Sequence, residues 1–138
     1  MRLEKGWGVW PLEYRPDFNV VKFGMDAFIN WNKDFIGKAA TLKARKDGPD
    51  QRLVTMLIDV DAIDVSNDEA ILKDGKAVGY VSSGGYAHWV GQSMAMGFVK
   101  SAYAGAGTKL QVEILGLFYD AKILGEAVYD PNGALMRG

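Results

Sequence analysis

Two glutamates near the start of the chain, Glu4 and Glu13, stand among large aromatic residues: Trp7, Trp10 and Tyr14. A carboxylate beside aromatic faces suits a planar heterocycle with a guanidine-like edge. The carboxylate accepts two parallel N–H bonds while the ring stacks. The sole histidine, His88, sits in a loop with Tyr86 and Trp89. A Ser-His-Asp arrangement would need it beside Ser82, Ser83 or Ser93, yet no nucleophile-elbow pattern surrounds those serines. His88 therefore reads as a loop or structural histidine. With one histidine and no cysteine, a metal site would have to be carboxylate-rich. Asp59, Asp61, Asp64, Asp68 and Glu69 place five carboxylates in eleven residues. Their spacing is not that of a calcium loop, and no glycine marks the turn, so the stretch reads as a solvated acidic loop. Ser83-Gly84-Gly85 forms either a backbone cradle for an anion or, more simply, a turn.

These residues need elements to hold them. The chain has 138 residues, 49% of them hydrophobic, which is enough for one packed domain or a small domain plus a further piece. Its formal net charge is −1, with no basic excess to drive phosphate-backbone binding, so nucleic acid is not an expected partner. The lack of cysteine fits a cytoplasmic protein. No run approaches the roughly 18 apolar residues of a membrane helix, so no membrane partner is expected, and the first residues lack a signal-peptide pattern. Leu3, Trp7 and Trp10 are apolar from the outset, as if cut from a longer chain.

Residues 1–33 are rich in aromatics and broken by Gly6, Gly8, Pro11 and Pro16. A helical turn near residues 1–6, an irregular segment and a strand near Met25–Asn30 are expected. The aromatics serve either as ordinary core or as a pocket wall. Asp34 to Lys46 is the clearest helix. Asp34 is expected to cap it, Phe35, Ala39 and Leu42 share a face, and Lys43, Arg45 and Lys46 favour its C-terminal dipole. Asp47-Gly48-Pro49-Asp50 ends it.

Arg52–Val60 reads as a strand, with so little alternation that burial on both faces is expected. Asp74-Gly75 is a strong hairpin signal, because both central residues of a type I′ turn need positive φ. It joins Glu69–Lys73 to Lys76–Ser82. Met94–Val99 is a further apolar run. Thr108–Leu115 alternates Lys109, Gln111 and Glu113 outward with Leu110, Val112 and Ile114 inward, Gly116 turns it, and Leu117–Ala127 returns. Tyr129 to Gly133 is a terminal turn. Five or six short antiparallel strands argue a small closed barrel or sandwich. The expected fold is mainly β: an antiparallel barrel over 51–138, preceded over 1–50 by an α/β piece with one clear helix.

Several stretches together resemble folate-dependent aminomethyltransferase modules, the family of the glycine-cleavage T-protein. They are Arg2-Leu3-Glu4-Lys5-Gly6 with Trp10 and Glu13, and Lys33-Asp34-Phe35-Ile36-Gly37-Lys38-Ala39-Ala40. The run from Gly75 to Val99 and Tyr129-Asp130-Pro131-Asn132-Gly133 with Arg137 complete the set. The likeness is greatest to the C-terminal folate half of dimethylglycine and sarcosine dehydrogenases. It departs at Pro11, where glycine usually follows the tryptophan, at Ser82 for threonine, and at Gln92 for lysine.

The resemblance implies a three-part fold around tetrahydrofolate whose last part is an antiparallel barrel. Residues 51–138 would be that barrel and residues 1–50 the tail of the folate-binding α/β part. It implies Glu4, Trp10, Glu13, Tyr86 and His88 as cofactor-binding residues, with no catalytic residue and no metal ligand in the chain. FAD would belong to a separate N-terminal domain that oxidises an N-methyl amine, and the one-carbon unit would pass to tetrahydrofolate. Alone, the chain would be catalytically incomplete and bind tetrahydrofolate weakly or not at all. Its partner would be the remaining N-terminal part of the same enzyme. Separately, the many aromatics of residues 1–33 predict an apolar patch and a second copy meeting the chain through that segment. The rival reading is a stand-alone small barrel that binds a ligand or partner without chemistry.

Overall fold

A computed structural model describes residues 1–61 and 63–137. Among them, six strands close into an antiparallel barrel: β1 (Gln51–Ile58), β2 (Ala70–Lys73), β3 (Lys76–Ala87), β4 (Gln92–Lys100), β5 (Lys109–Ile114) and β6 (Leu117–Ile123). The order around the barrel is β1-β4-β3-β2-β5-β6, and β6 returns to β1 with Met56 opposite Ile123. The expected barrel is present.

The strands form where apolar residues recur at every second position. In β5, Leu110, Val112 and Ile114 are buried and face the interior, as expected. β1 differs from expectation. Val54, Met56 and Ile58 are buried while Leu53, Thr55 and Leu57 are only partly covered. One face meets the barrel core and the other is half open, so the apolar run conceals an alternation. Burying each such side chain contributes roughly 1.5–3 kcal/mol.

The hairpin at Asp74-Gly75 has φ of 50° and 72°, the left-handed pair that a type I′ turn needs. β3 then runs on past Ser82 to Ala87, so Ser83-Gly84-Gly85 is strand and neither turn nor anion cradle. Its ladder to β4 slips between Val81 and Ser83, where a bulge inserts Ser82. Gly84 is needed there because a Cβ would lie 2.3 Å from the Val65 carbonyl oxygen.

Residues 1–33 contain turns and no strand. The expected helical turn at the start is present, with Lys5 N–H donating to the Met1 carbonyl. The strand expected near Met25–Asn30 is instead a 3-10 turn, Met25–Phe28, entered through left-handed Gly24. Its amides bond locally, Met25 to Val20 and Ile29 to Asp26, and leave no ladder to extend. The helix α1 spans Lys38–Asp47 and begins at left-handed Gly37 rather than Asp34. Asp34 pairs instead with the Lys38 side chain at 3.2 Å. No residue of α1 is buried. After β6 the chain makes the expected turn at Asp130 and ends in a short helix, α2 (Ala134–Arg137).

Candidate functional site: the seam between the N-terminal segment and β3–β4

β4 is buried on both faces. Ala95 and Val99 join the barrel core, while Met94, Met96 and Phe98 alternate with them and are covered from outside. The cover is the N-terminal segment. Phe18 meets Phe98 edge-on at 4.8 Å between ring centroids, and Lys22 Nζ lies 4.4 Å from the Phe18 ring centroid. Lys22 also pairs with Asp50 at 3.4 Å, and its carbonyl accepts from Leu53 N–H in β1. Arg2 Nη1 lies 4.0 Å from the Met96 sulfur.

Glu13 is fully buried at the centre of this seam. Its Oε1 accepts from Ser82 Oγ at 2.6 Å and from Ser83 Oγ. Two successive strand residues normally point to opposite faces. The bulge at Ser82 turns both hydroxyls to the same carboxylate. Oε2 accepts from Val9 N–H at 2.7 Å and faces Arg2 at 3.6 Å. Tyr14, next along, accepts from Gly8 N–H at 2.9 Å, and burial raises its hydroxyl pKa above the ordinary value against that bond. A Cβ at Gly8 would come within 2.8 Å of both Glu13 Cβ and the Tyr14 ring.

Glu4, 2% exposed, makes a second clamp. Its Oε1 accepts from Trp89 N–H at 2.6 Å, and its Oε2 faces the Met1 amino group at 2.6 Å. The Met1 ammonium, and after it the Trp89 N–H, hold the Glu4 carboxyl below its ordinary value although burial opposes them. The Glu4 carbonyl accepts from Tyr129 N–H, and the Trp89 and Tyr129 rings meet edge-on. Lys5 Nζ binds Asp130 at its carboxylate (3.1 Å) and its carbonyl. Three short stretches from distant parts of the sequence therefore meet here: 2–14, 82–89 and 129–130.

The five residues expected to bind a cofactor are placed as follows. Glu4 and Glu13 are buried in the two clamps. Tyr86 and His88 are exposed and touch edge-on at 5.1 Å. Trp10 is 64% exposed. The structure joins Glu4 to the loop of Tyr86 and His88 through Trp89, and Glu13 to β3 through the serines. A carboxylate has about four lone-pair sites. Those of Glu13 already face two hydroxyls, an amide and a guanidinium, so as arranged it does not fit a bidentate contact with a heterocycle. Trp10, Tyr86 and His88 keep exposed aromatic edges. Tyr86 also borders a cleft of about 310 Å³ with Asp59, Asp61 and Gln92.

Reading the sequence alone missed the pairing of Glu13 with Ser82 and Ser83. In the sequence Ser82 and Ser83 suggest a nucleophile or, with Gly84-Gly85, a turn, and no local pattern announces a bulge. Arg2 and the Lys5–Asp130 pair were missed as contacts for the same reason: their partners lie far along the chain.

The fold and this seam define a class. The chain belongs to the glycine cleavage T-protein C-terminal barrel domain family, whose family model matches residues 51–130. Among particular proteins, it is 36% identical over 128 residues to mitochondrial dimethylglycine dehydrogenase of Homo sapiens, a match covering 91% of this chain and 15% of that protein. It is 30% identical over 141 residues to a probable aminomethyltransferase of Thermococcus kodakarensis, covering 96% of this chain and 35% of that one. The crystal structure of glycine cleavage system aminomethyltransferase T from Bartonella henselae aligns with a TM-score of 0.86 at 21% identity, over 94% of this chain and 37% of its own length. That likeness shows a shared fold. The chain thus spans 15% of the length of the dehydrogenase and 35% of the Thermococcus relative.

Proposed function

We propose that this chain supplies the C-terminal barrel of a tetrahydrofolate-dependent one-carbon-transfer enzyme of the dimethylglycine or sarcosine dehydrogenase or aminomethyltransferase type. One observation carries the reading. The likeness to the human dehydrogenase covers 91% of the chain, more than the barrel matched over 51–130, so it takes in residues that form the clamped seam. In this reading residues 1–50 belong to the folate-binding part and 51–138 to the barrel. Glu4 and Glu13 hold the N-terminal segment in place, and the rims of Trp10, Tyr86 and His88 face the ligand. When bound, tetrahydrofolate would accept the one-carbon unit, and FAD would oxidise the amine in a part of the enzyme outside these residues. The cytoplasmic location expected from composition is part of the same proposal, and fractionation tests it.

The chain alone is then incomplete. Calorimetry with tetrahydrofolate should give a dissociation constant of the order of millimolar or weaker, about −4 kcal/mol. No oxidation of dimethylglycine or sarcosine should occur with added FAD. Micromolar folate binding would make the chain a competent site by itself. Trp10 at 64% and Phe28 at 74% exposure leave apolar surface for a partner, either the rest of a longer enzyme or a second copy through residues 1–33. Sedimentation at micromolar concentration separates these: a dimer supports the second copy.

A second reading, a self-contained binding barrel, is favoured by the clamps themselves. They satisfy Glu13 from within the chain, as a unit folding alone would need.

A further inference from the structure

Four lysines meet at one rim of the barrel, one on each of the neighbouring strands β3, β2, β5 and β6. Lys76 is directly opposite Lys73, and Lys109 is directly opposite Lys122. Lys73 Nζ donates to the Lys109 carbonyl at 3.2 Å and so links the two pairs. Neighbouring strands lie about 4.8 Å apart, so the four positions span roughly 14 Å of rim. Lys109 and Lys122 alternate with inward Leu110 and Ala121 and point to the outer wall. Lys76 keeps step with buried Val78 and sits with Lys73 at the mouth.

This arrangement costs stability, because like charges directly opposite across a ladder repel. The common reason for lysine along a strand, blocking an open edge against strand addition, does not apply in a closed barrel. Among the described residues Lys76, Lys109 and Lys122 form no ion pair, and Lys73 reaches only Asp74, at 3.8 Å. The ladder between β2 and β5 holds only Ile71 opposite Val112 and Leu72 opposite Gln111. Beyond these pairs the strands part and open a cleft of about 280 Å³ lined by Lys73, Asp74, Lys109, Gln111 and Asp120. Asp59 and Asp120 border an adjoining cleft that Lys109 and Lys122 share.

We propose that this rim binds an acidic peptide segment of a partner protein, laid across the β2–β5 cleft with its carboxylates on the lysine ammonium groups. The mixed lining favours a peptide. Gln111 and Asp120 can accept from its backbone N–H groups, which a phosphodiester chain does not offer. Among the described residues the rim carries no arginine fork and no aromatic ring for a base to stack on.

The test is fluorescence anisotropy of the full chain with a labelled hexaglutamate peptide. Saturable binding is expected at low salt, weakened about tenfold when salt rises to near 0.2 M, because these exposed charges are screened within about 8 Å. Lys109→Gln with Lys122→Gln should weaken binding about tenfold, and Lys73→Gln with Lys76→Gln similarly, as each pair removes two of the four charge contacts. Lys43→Gln with Lys46→Gln, the same charge change on α1, should stay within about twofold. The two rim variants should melt no lower than the parent, since each removes a repulsive pair. Lack of saturation, equal loss in the α1 control, or tighter binding of an oligothymidylate of equal charge would each overturn the proposal, the last assigning the rim to nucleic acid.

Discussion

Every barrel strand has two neighbours, and the register carries Met56, Ile71, Val81 and Val112 to a common interior. In residues 1–33 no strand forms, and the segment is fixed by a few buried polar groups and one aromatic contact. Stability in the first region is spread over many apolar side chains. In the second it is concentrated in Glu13 and Glu4. A barrel made this way tolerates local damage gradually, whereas a clamped segment attaches or detaches as a whole. The comparison predicts a different response to substitution in each region.

The largest effect should come from the barrel interior. Ile71, fully buried, packs in the core beside β5. Ile71→Ala should cost about 2–5 kcal/mol through lost transfer energy and a residual cavity. Chemical denaturation followed by far-UV circular dichroism should show the whole barrel shifting together. A shift confined to residues 1–33 would break the comparison.

Next comes the clamp. Glu13→Ala strands the Ser83 hydroxyl and the Val9 amide in a buried seam, while the Ser82 hydroxyl keeps the Met96 carbonyl at 3.2 Å. Hydrogen bonds to a charged group contribute about 1.5–3 kcal/mol each, part of which water recovers as the segment opens. The expected outcome is a barrel that still folds while residues 1–33 become protease-sensitive. Adding Ser83→Ala should return part of the loss, because it removes the orphaned hydroxyl. If limited proteolysis found the segment as protected as in the parent chain, Glu13 would not be what holds it.

A smaller effect follows acid. The Glu4 carboxyl is held below its ordinary value by the Met1 ammonium and the Trp89 N–H. A depressed carboxyl contributes stability above the unfolded pKa, near 4.3, and loses it as pH falls through the folded value. The segment should therefore loosen on acidification before the barrel melts, with tryptophan emission shifting first. Glu4→Gln should flatten that early phase and leave the barrel transition where it was.

These contrasts explain what could be read in advance. β5 was legible because strict alternation from Lys109 to Ile114 has one structural meaning. The hairpin at Asp74-Gly75 was legible because its residues suit positive φ. The strand expected near Met25–Asn30 is absent because apolar content alone does not make a ladder: Gly24 turns the chain and local bonds consume the amides. Asp34 failed as a cap because Gly37, three residues on, takes the left-handed conformation and α1 starts after it. Of the candidate site, Glu4 and Glu13 could be found from composition. Their partners could not, because the serines meet Glu13 across some seventy positions and through a bulge that no residue type marks.

The smallest effect lies in the barrel's own least consistent position. The β5–β6 hairpin closes Ile114 onto Leu117 over two residues, Leu115 and Gly116, with φ of 51° and 81°. The β2–β3 hairpin has the same left-handed pair with aspartate first. A left-handed conformation costs an L-residue with a bulky side chain roughly 1–2 kcal/mol, and asparagine or aspartate rather less because a short polar side chain bonds locally. Leu115 is 84% exposed, so its side chain offers little packing in return. Leu115→Asn should therefore raise stability by about 0.5–1 kcal/mol, read as a higher denaturant midpoint at unchanged m-value. If the same substitution lowered the midpoint, Leu115 would have to gain more from its exposed neighbours Leu117 and Phe118 than the turn loses. The barrel would then share with the N-terminal segment a dependence on a few local contacts, and the contrast between the two regions would narrow.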